Sequence, residues 1–142
     1  MKSFSTTIQI NTSVEVVWKI LTDISGWAHW NATIDKIEGS IALDSKVTVH
    51  TKASPGRAFP LKVTEFVPNK TMVWTGGMPL GLFTGKRTYI LNDKGDSSVK
   101  FSMSESFTGL MSPLITRSIP DLQPSFDEFA KCLKEYAEST VT

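Results

Sequence analysis

Between Asn31 and Phe107 the chain offers six strand-like stretches with no room for a helix between them. They run from Ile34 to Glu38, Lys46 to Thr51, Phe59 to Val67, Thr71 to Thr75, Phe83 to Leu91 and Ser98 to Phe107. Turn signals punctuate them: Gly39-Ser40, Ser54-Pro55-Gly56, Pro68-Asn69-Lys70, Gly76-Gly77 and Asn92-Asp93-Lys94-Gly95. A parallel pair needs a crossover of a dozen or more residues, so connections this short require consecutive antiparallel strands. Near the N-terminus Phe4, Thr6, Ile8 and Ile10 alternate with Ser5, Thr7 and Gln9 and add a seventh strand. A sheet of that size can curl, and its concave face needs a cover.

The closing stretch from Asp121 to Glu138 supplies one. Leu122, Phe126, Phe129, Ala130, Leu133 and Ala137 recur at helical spacing, with Asp127, Glu128, Lys131, Lys134 and Glu135 on the other side. Two shorter helical pieces follow the first strand. Asn11-Thr12-Ser13 provides N-cap candidates for Val14 to Leu21, whose Val14, Val17, Trp18 and Leu21 share a face, and Trp27 to Trp30 forms a second turn. From Leu110 to Pro120 the pattern allows either two helical pieces or one long helix kinked at Pro120 and Pro124.

The 142 residues suit a single domain spanning 1–142, and 20% charged with 40% apolar residues is ordinary for a globular chain. Fifteen basic against fourteen acidic residues leave a net charge of +1 without any run of like charge, which argues against a nucleic-acid surface. No apolar signal segment and no membrane-spanning stretch is visible, and the single cysteine, Cys132, cannot form an internal disulfide; these features lead us to expect a cytoplasmic protein. His29 and His50 form no ligand set with Cys132, so no metal and no cofactor is expected. Monomer and homodimer both remain open.

Four groups of residues, in order along the chain, give it a family likeness. Val17-Trp18-Lys-Ile-Leu-Thr-Asp23 followed by Trp27-Ala-His-Trp30-Asn31 is similar to the opening motif of the START-related superfamily, also called SRPBCC or Bet v1-like. Val63-Thr-Glu65 with Val67-Pro68, then Met72-Val-Trp74, and Glu105-Ser-Phe107-Thr-Gly109 fit the mid-chain and late-strand patterns of its polyketide cyclase/dehydrase and lipid-transport group. The resemblance covers about residues 3 to 138. It implies an α+β helix-grip fold, in which a seven-stranded curved antiparallel sheet wraps around the long C-terminal helix. It also implies a deep, largely apolar cavity between helix and sheet for lipids, polyketides or other hydrophobic small molecules. A shared fold licenses the pocket better than any reaction.

Alternation assigns each strand an inner face. Val99, Phe101, Met103, Glu105 and Phe107 share one parity, as do Phe83, Gly85, Arg87, Tyr89 and Leu91; Phe59, Leu61, Val63, Met72 and Trp74 join them. Core packing and pocket lining are the two readings for such residues. The candidate ligand-binding set comprises Trp27, Trp30, Phe59, Trp74, Met78, Phe83, Arg87, Tyr89, Met103, Glu105, Phe107, Phe126, Phe129 and Leu133. Arg87 and Glu105 fall near-opposite on neighbouring strands with inward parity. They form either a salt bridge that closes the sheet or a polar anchor for a ligand carboxylate or hydroxyl. Met78 to Phe83, flanked by glycines, is an apolar loop suited to a pocket mouth. No complete catalytic set is recognisable; were the protein a cyclase or dehydratase, Glu105, Tyr89 or Arg87 would carry the chemistry. A third class is an interaction module docking a partner through the Met78–Phe83 loop or a sheet edge.

Overall fold

The structure, a computed structural model, describes residues 3–52, 56, 58–78, 80–119 and 121–139. Strand β1 spans Ser3–Ile10, and Ser13 begins helix α1 (Val14–Thr22) by accepting the Val16 N–H on its hydroxyl at 3.4 Å. A single 3-10 turn (Ile24–Gly26) leads into α2 (Trp27–Trp30). Six strands follow without helical interruption: β2 (Ile34–Gly39), β3 (Lys46–Thr51), β4 (Phe59–Val67), β5 (Thr71–Met78), β6 (Phe83–Asp93) and β7 (Val99–Thr108). A short helix α3 (Ser112–Ile115) with a 3-10 continuation (Thr116–Ser118) precedes the closing helix α4 (Gln123–Ser139). The sheet order is β1-β7-β6-β5-β4-β3-β2, every pair antiparallel.

The segment after Gly109 therefore makes helical pieces, Ser112–Ile115 with Thr116–Ser118, that are separate from α4. Pro113 sits in the first turn of α3 and Pro124 in the first turn of α4, where a missing N–H costs nothing. The Asp121 carboxylate accepts the Gln123 N–H at 3.1 Å and starts α4. Pro120, Pro79 and the Ser54-Pro55 part of the expected turn lie outside the described residues.

Two details differ from the sequence pattern. Gly76 and Gly77 continue β5 and pair with Gly85 and Thr84, so the turn falls later, at the loop holding Leu80 and Gly81. Between Val63 and Glu65 a β-bulge shifts the register, so Phe66 turns inward and lies 5.4 Å, ring to ring, from Trp18.

Helix α4 lies along the edge strand β1 and is tied to it by side chains. Gln123 Nε2 donates to the Ser5 carbonyl at 2.7 Å, Lys134 Nζ to the Gln9 carbonyl at 2.8 Å, and the Asn11 N–H donates to Glu138 Oε2 at 2.8 Å. These bonds occupy backbone groups that an edge strand otherwise leaves open. Lys134 and the Asn11 N–H hold the Glu138 carboxyl below its ordinary range. Phe126, Phe129, Ala130, Leu133 and Ala137 are buried on the facing side of α4, and Val14, Val17, Trp18 and Leu21 on α1.

Truncating Phe129, which touches aromatic rings from α2, β6 and β7, should cost about 3–5 kcal/mol of stability. Urea denaturation of Phe129→Ala measures it; a loss below about 1 kcal/mol would mean that the helix does not rest on this ring.

Candidate functional site

Trp27 sits at the centre of the molecule. Its ring stacks on Trp74 of β5 at 5.5 Å and meets Phe129 of α4 edge-on at 5.5 Å, while its Nε1 donates to the Leu21 carbonyl at 3.1 Å. Tyr89 lies 5.0 Å from Trp74, and Phe101 stacks on Phe129 at 6.0 Å. This aromatic block fills one half of the space between helix and sheet. In front of it lies a cavity of about 350 Å³, inside the range of small-molecule sites.

The cavity wall is built from three sources. β6 and β7 contribute Phe83, Gly85, Arg87, Met103, Glu105 and Phe107. The helical side contributes Trp27, Phe126 and Phe129, joined by Ile115, Ile119, Leu122 and Ser125. The far wall is Asn31, Thr33 and Ile34 with Val49, Thr51, Phe59, Pro60, Leu61, Gly76 and Gly77. The close approach of β5 to β4 here demands glycine: a Cβ on Gly76 would lie 2.7 Å from the Pro60 carbonyl oxygen.

Nine of the residues singled out from sequence thus border the cavity: Trp27, Phe59, Phe83, Arg87, Met103, Glu105, Phe107, Phe126 and Phe129. The other five do not. Trp74, Tyr89 and Leu133 are fully buried in the packed half. Trp30 packs edge-on against Phe129 at 5.4 Å and stacks on Tyr136 at 6.4 Å. Met78 ends β5 largely exposed and outside the cavity. The reason is that alternation tells which face of the sheet a side chain occupies, not how far along α4 the packing stops. Sequence reasoning passed over Asn31, Thr33 and Thr51, although the inward parity of Val47 and Val49 on β3 extends to Thr51 and signals it.

Arg87 and Glu105 are directly opposite each other in the β6–β7 ladder, and Arg87 Nε donates to Glu105 Oε1 at 2.8 Å. Their side chains are only 17% and 14% exposed. The guanidinium carbon also stands 5.1 Å from the centroid of the Phe126 ring, a cation–π contact that connects the pair to α4. Burial works against the Arg87 charge, but Glu105 and Tyr89 outweigh it and hold the guanidinium firmly protonated. Burial pushes the Tyr89 hydroxyl up to about 12, with the Arg87 charge pulling the other way. Although Arg87 is near enough to act on it, Tyr89 Oη has no hydrogen bond of ordinary geometry, nor has Trp74 Nε1. Asn31 is held by one end: its Oδ1 accepts the Thr33 N–H at 2.9 Å and the Thr33 hydroxyl at 2.6 Å, whereas Nδ2 is buried without a partner.

His50 points to the outer face of the sheet, its Nε2 3.3 Å from Glu38 Oε1, away from the cavity. Among the described residues no three His, Cys, Asp or Glu side chains gather into a metal-binding group, and no helix is long and apolar enough to cross a membrane.

The profile of one protein family, described as polyketide cyclase / dehydrase and lipid transport, matches residues 1–138. The chain belongs to that family. Solved structures share the fold of this polyketide cyclase / dehydrase and lipid transport family chain. The Zhui aromatase/cyclase from Streptomyces sp. R1128 superposes with a TM-score of 0.77 at 10% identity, covering 99% of this chain and 96% of that one. A START superfamily protein from Mycobacterium smegmatis gives 0.72 at 13% identity, with 98% and 99% covered. The Aha1 dimer from Colwellia psychrerythraea gives 0.73 at 20% identity, with 100% of both chains covered. At such identities these likenesses establish the helix-grip fold of the family and nothing finer. No curated protein matches the chain.

Two predictions follow from the polar residues. The folded-state rise of Tyr89 from an ordinary value near 10 to about 12 means that unfolding releases its proton more readily. Its stabilisation is therefore complete below pH 10 and is lost as pH climbs towards 12, a swing of about 3 kcal/mol. Tyr89→Phe should flatten that limb of a stability–pH curve; an unchanged alkaline slope would refute the assignment. Glu105→Gln alone should destabilise by about 3 kcal/mol by stranding the Arg87 charge, as should Arg87→Met alone by stranding the carboxylate, whereas the two together should recover most of the loss. Additive losses in that double-mutant cycle would show that the two groups do not act as a pair.

Proposed function

We propose that this protein binds a hydrophobic small molecule, a lipid or polyketide-like compound, in the cavity between α4 and the sheet, for carriage or sequestration. The observation that carries this reading is the cavity itself. About 350 Å³ remains open beside one tightly packed aromatic block, with largely apolar walls and, among the described residues, one ion pair facing in. Protein interiors otherwise close-pack, so empty apolar volume of this size costs stability unless something fills it. The membership of the polyketide cyclase / dehydrase and lipid transport family supports the same class of ligand.

Affinity would come from apolar burial at roughly 25 cal/mol per Å², less the cost of ordering the ligand. Orientation would come from Arg87. A guanidinium has five donors; Nε serves Glu105, and the Nη groups suit a carboxylate, carbonyl or hydroxyl on the ligand. A cyclase or dehydratase reading has less support. Tyr89 does not border the cavity, and Glu105 is engaged by Arg87.

Gly85 faces the cavity, and a Cβ there meets the Phe107 ring at 3.4 Å and the Gly76 carbonyl oxygen at 3.8 Å, both ordinary contacts, so Gly85→Val adds bulk to the site with the strand kept. Native mass spectrometry after purification, with titration of cis-parinaric acid, tests the reading. Wild type should carry or take up a hydrophobe, Gly85→Val should weaken uptake about tenfold or more, and Arg87→Ala should weaken a fatty acid more than the matching alcohol. A wild-type protein that neither co-purifies with nor takes up any hydrophobe contradicts it.

A further inference from the structure

The turn between β5 and β6 and the segment after β7 meet at one corner. The Met111 N–H donates to the Leu82 carbonyl at 2.7 Å, and Gly109, at φ 112, sits so close that a Cβ would fall 2.6 Å from the same oxygen. From this corner Leu80, Leu110 and Leu114 project into solvent, 94%, 85% and 60% exposed. The sequence carries no charge from Gly76 to Gly85 or from Ser106 to Thr116, although a fifth of the chain is charged. Each uncharged stretch ends in a cation, Lys86 and Arg117, and both are exposed. Leu80 is held at φ 61, a left-handed conformation that suits Gly, Asn or Asp and is costly for leucine. An exposed leucine in a strained turn serves neither folding nor solubility.

We propose that this corner docks on the surface of a phospholipid bilayer, with Leu80, Leu110 and Leu114 entering the acyl boundary and Lys86 and Arg117 facing the headgroups. The inner sides of the same segments carry Phe83, Phe107 and Ile115 on the cavity wall. Docking would therefore set the cavity beside the acyl region and let a hydrophobe pass without crossing water. Three leucines offer too little area for a stable protein interface, which needs about 800 Å² per partner, but they suffice for reversible interfacial insertion reinforced by basic residues. The route for a ligand rests on the proposed binding function; the docking itself stands or falls separately.

Sedimentation with vesicles of phosphatidylcholine and phosphatidylglycerol tests it on the full chain. Leu80→Asp with Leu110→Asp is the decisive variant, because both side chains are exposed and aspartate tolerates the left-handed turn. Wild type should bind, more weakly on phosphatidylcholine alone, and the variant should partition about tenfold less or lower still. Uptake of cis-parinaric acid in vesicle-free buffer should be unchanged by the variant. Absence of vesicle binding, binding indifferent to the two aspartates, or a solution dimer that dissociates in the variant would each overturn the proposal. Wild type that takes up the fatty acid and ignores vesicles overturns docking alone. Vesicle binding through these leucines without any hydrophobe uptake upholds docking and removes the ligand reading.

Discussion

The structure depends on Trp27 standing between the sheet and the closing helix. One face of its ring stacks on Trp74, its edge meets Phe129, and its indole N–H is fixed to the Leu21 carbonyl. A tryptophan is the largest rigid spacer available to a chain, and aromatic contacts of this kind stabilise by more than the area they bury. With Trp27 in place, α4 cannot settle onto β5 and β6 along its whole length. Towards its C-terminal end Leu133 and Ala137 pack tightly; around Phe126 and Ser125 the helix stands clear and the cavity opens.

The same separation explains how an arginine and a glutamate are tolerated on the inner face. Lone charges there would be expensive, but the β6–β7 register sets Arg87 opposite Glu105, and Phe126 offers its ring to the guanidinium. The pair consequently sits on a wall rather than in a sealed core. Charge, aromatic face and empty volume coincide at one place, which is where an amphiphilic guest gains most.

Much of this was readable from residues alone. Short turn-punctuated stretches announced the antiparallel sheet, alternation placed Arg87 and Glu105 inward, and the length of the turn between their strands put them near-opposite. Where the pattern misled, the causes were local and geometric. Gly76 and Gly77 look like a turn, yet they are strand residues: the missing side chain of Gly76 lets β5 approach β4, and that of Gly77 lets it approach β6. The bulge after Val63 turns Phe66 inward against strict alternation. Parity could not separate Trp74, Tyr89 and Leu133, which fill the packed half, from Met103 and Phe107, which border the void. That division depends on where the Trp27 wedge sits along α4, a three-dimensional fact with no one-dimensional period. Asn31 and Thr33 escaped because their polar side chains act from a bend rather than from a regular strand.

The central claim is that one half of the interior is solid and the other accepts a guest. Methyl-resolved NMR during titration with a small apolar hydrophobe tests it most directly. Methyl signals of Met103, Ile34 and Leu122 on the cavity wall should shift, while those of Val17, Leu21 and Leu133 in the packed half stay in place. Shifts spread equally over both groups, or absent from both, would contradict the account.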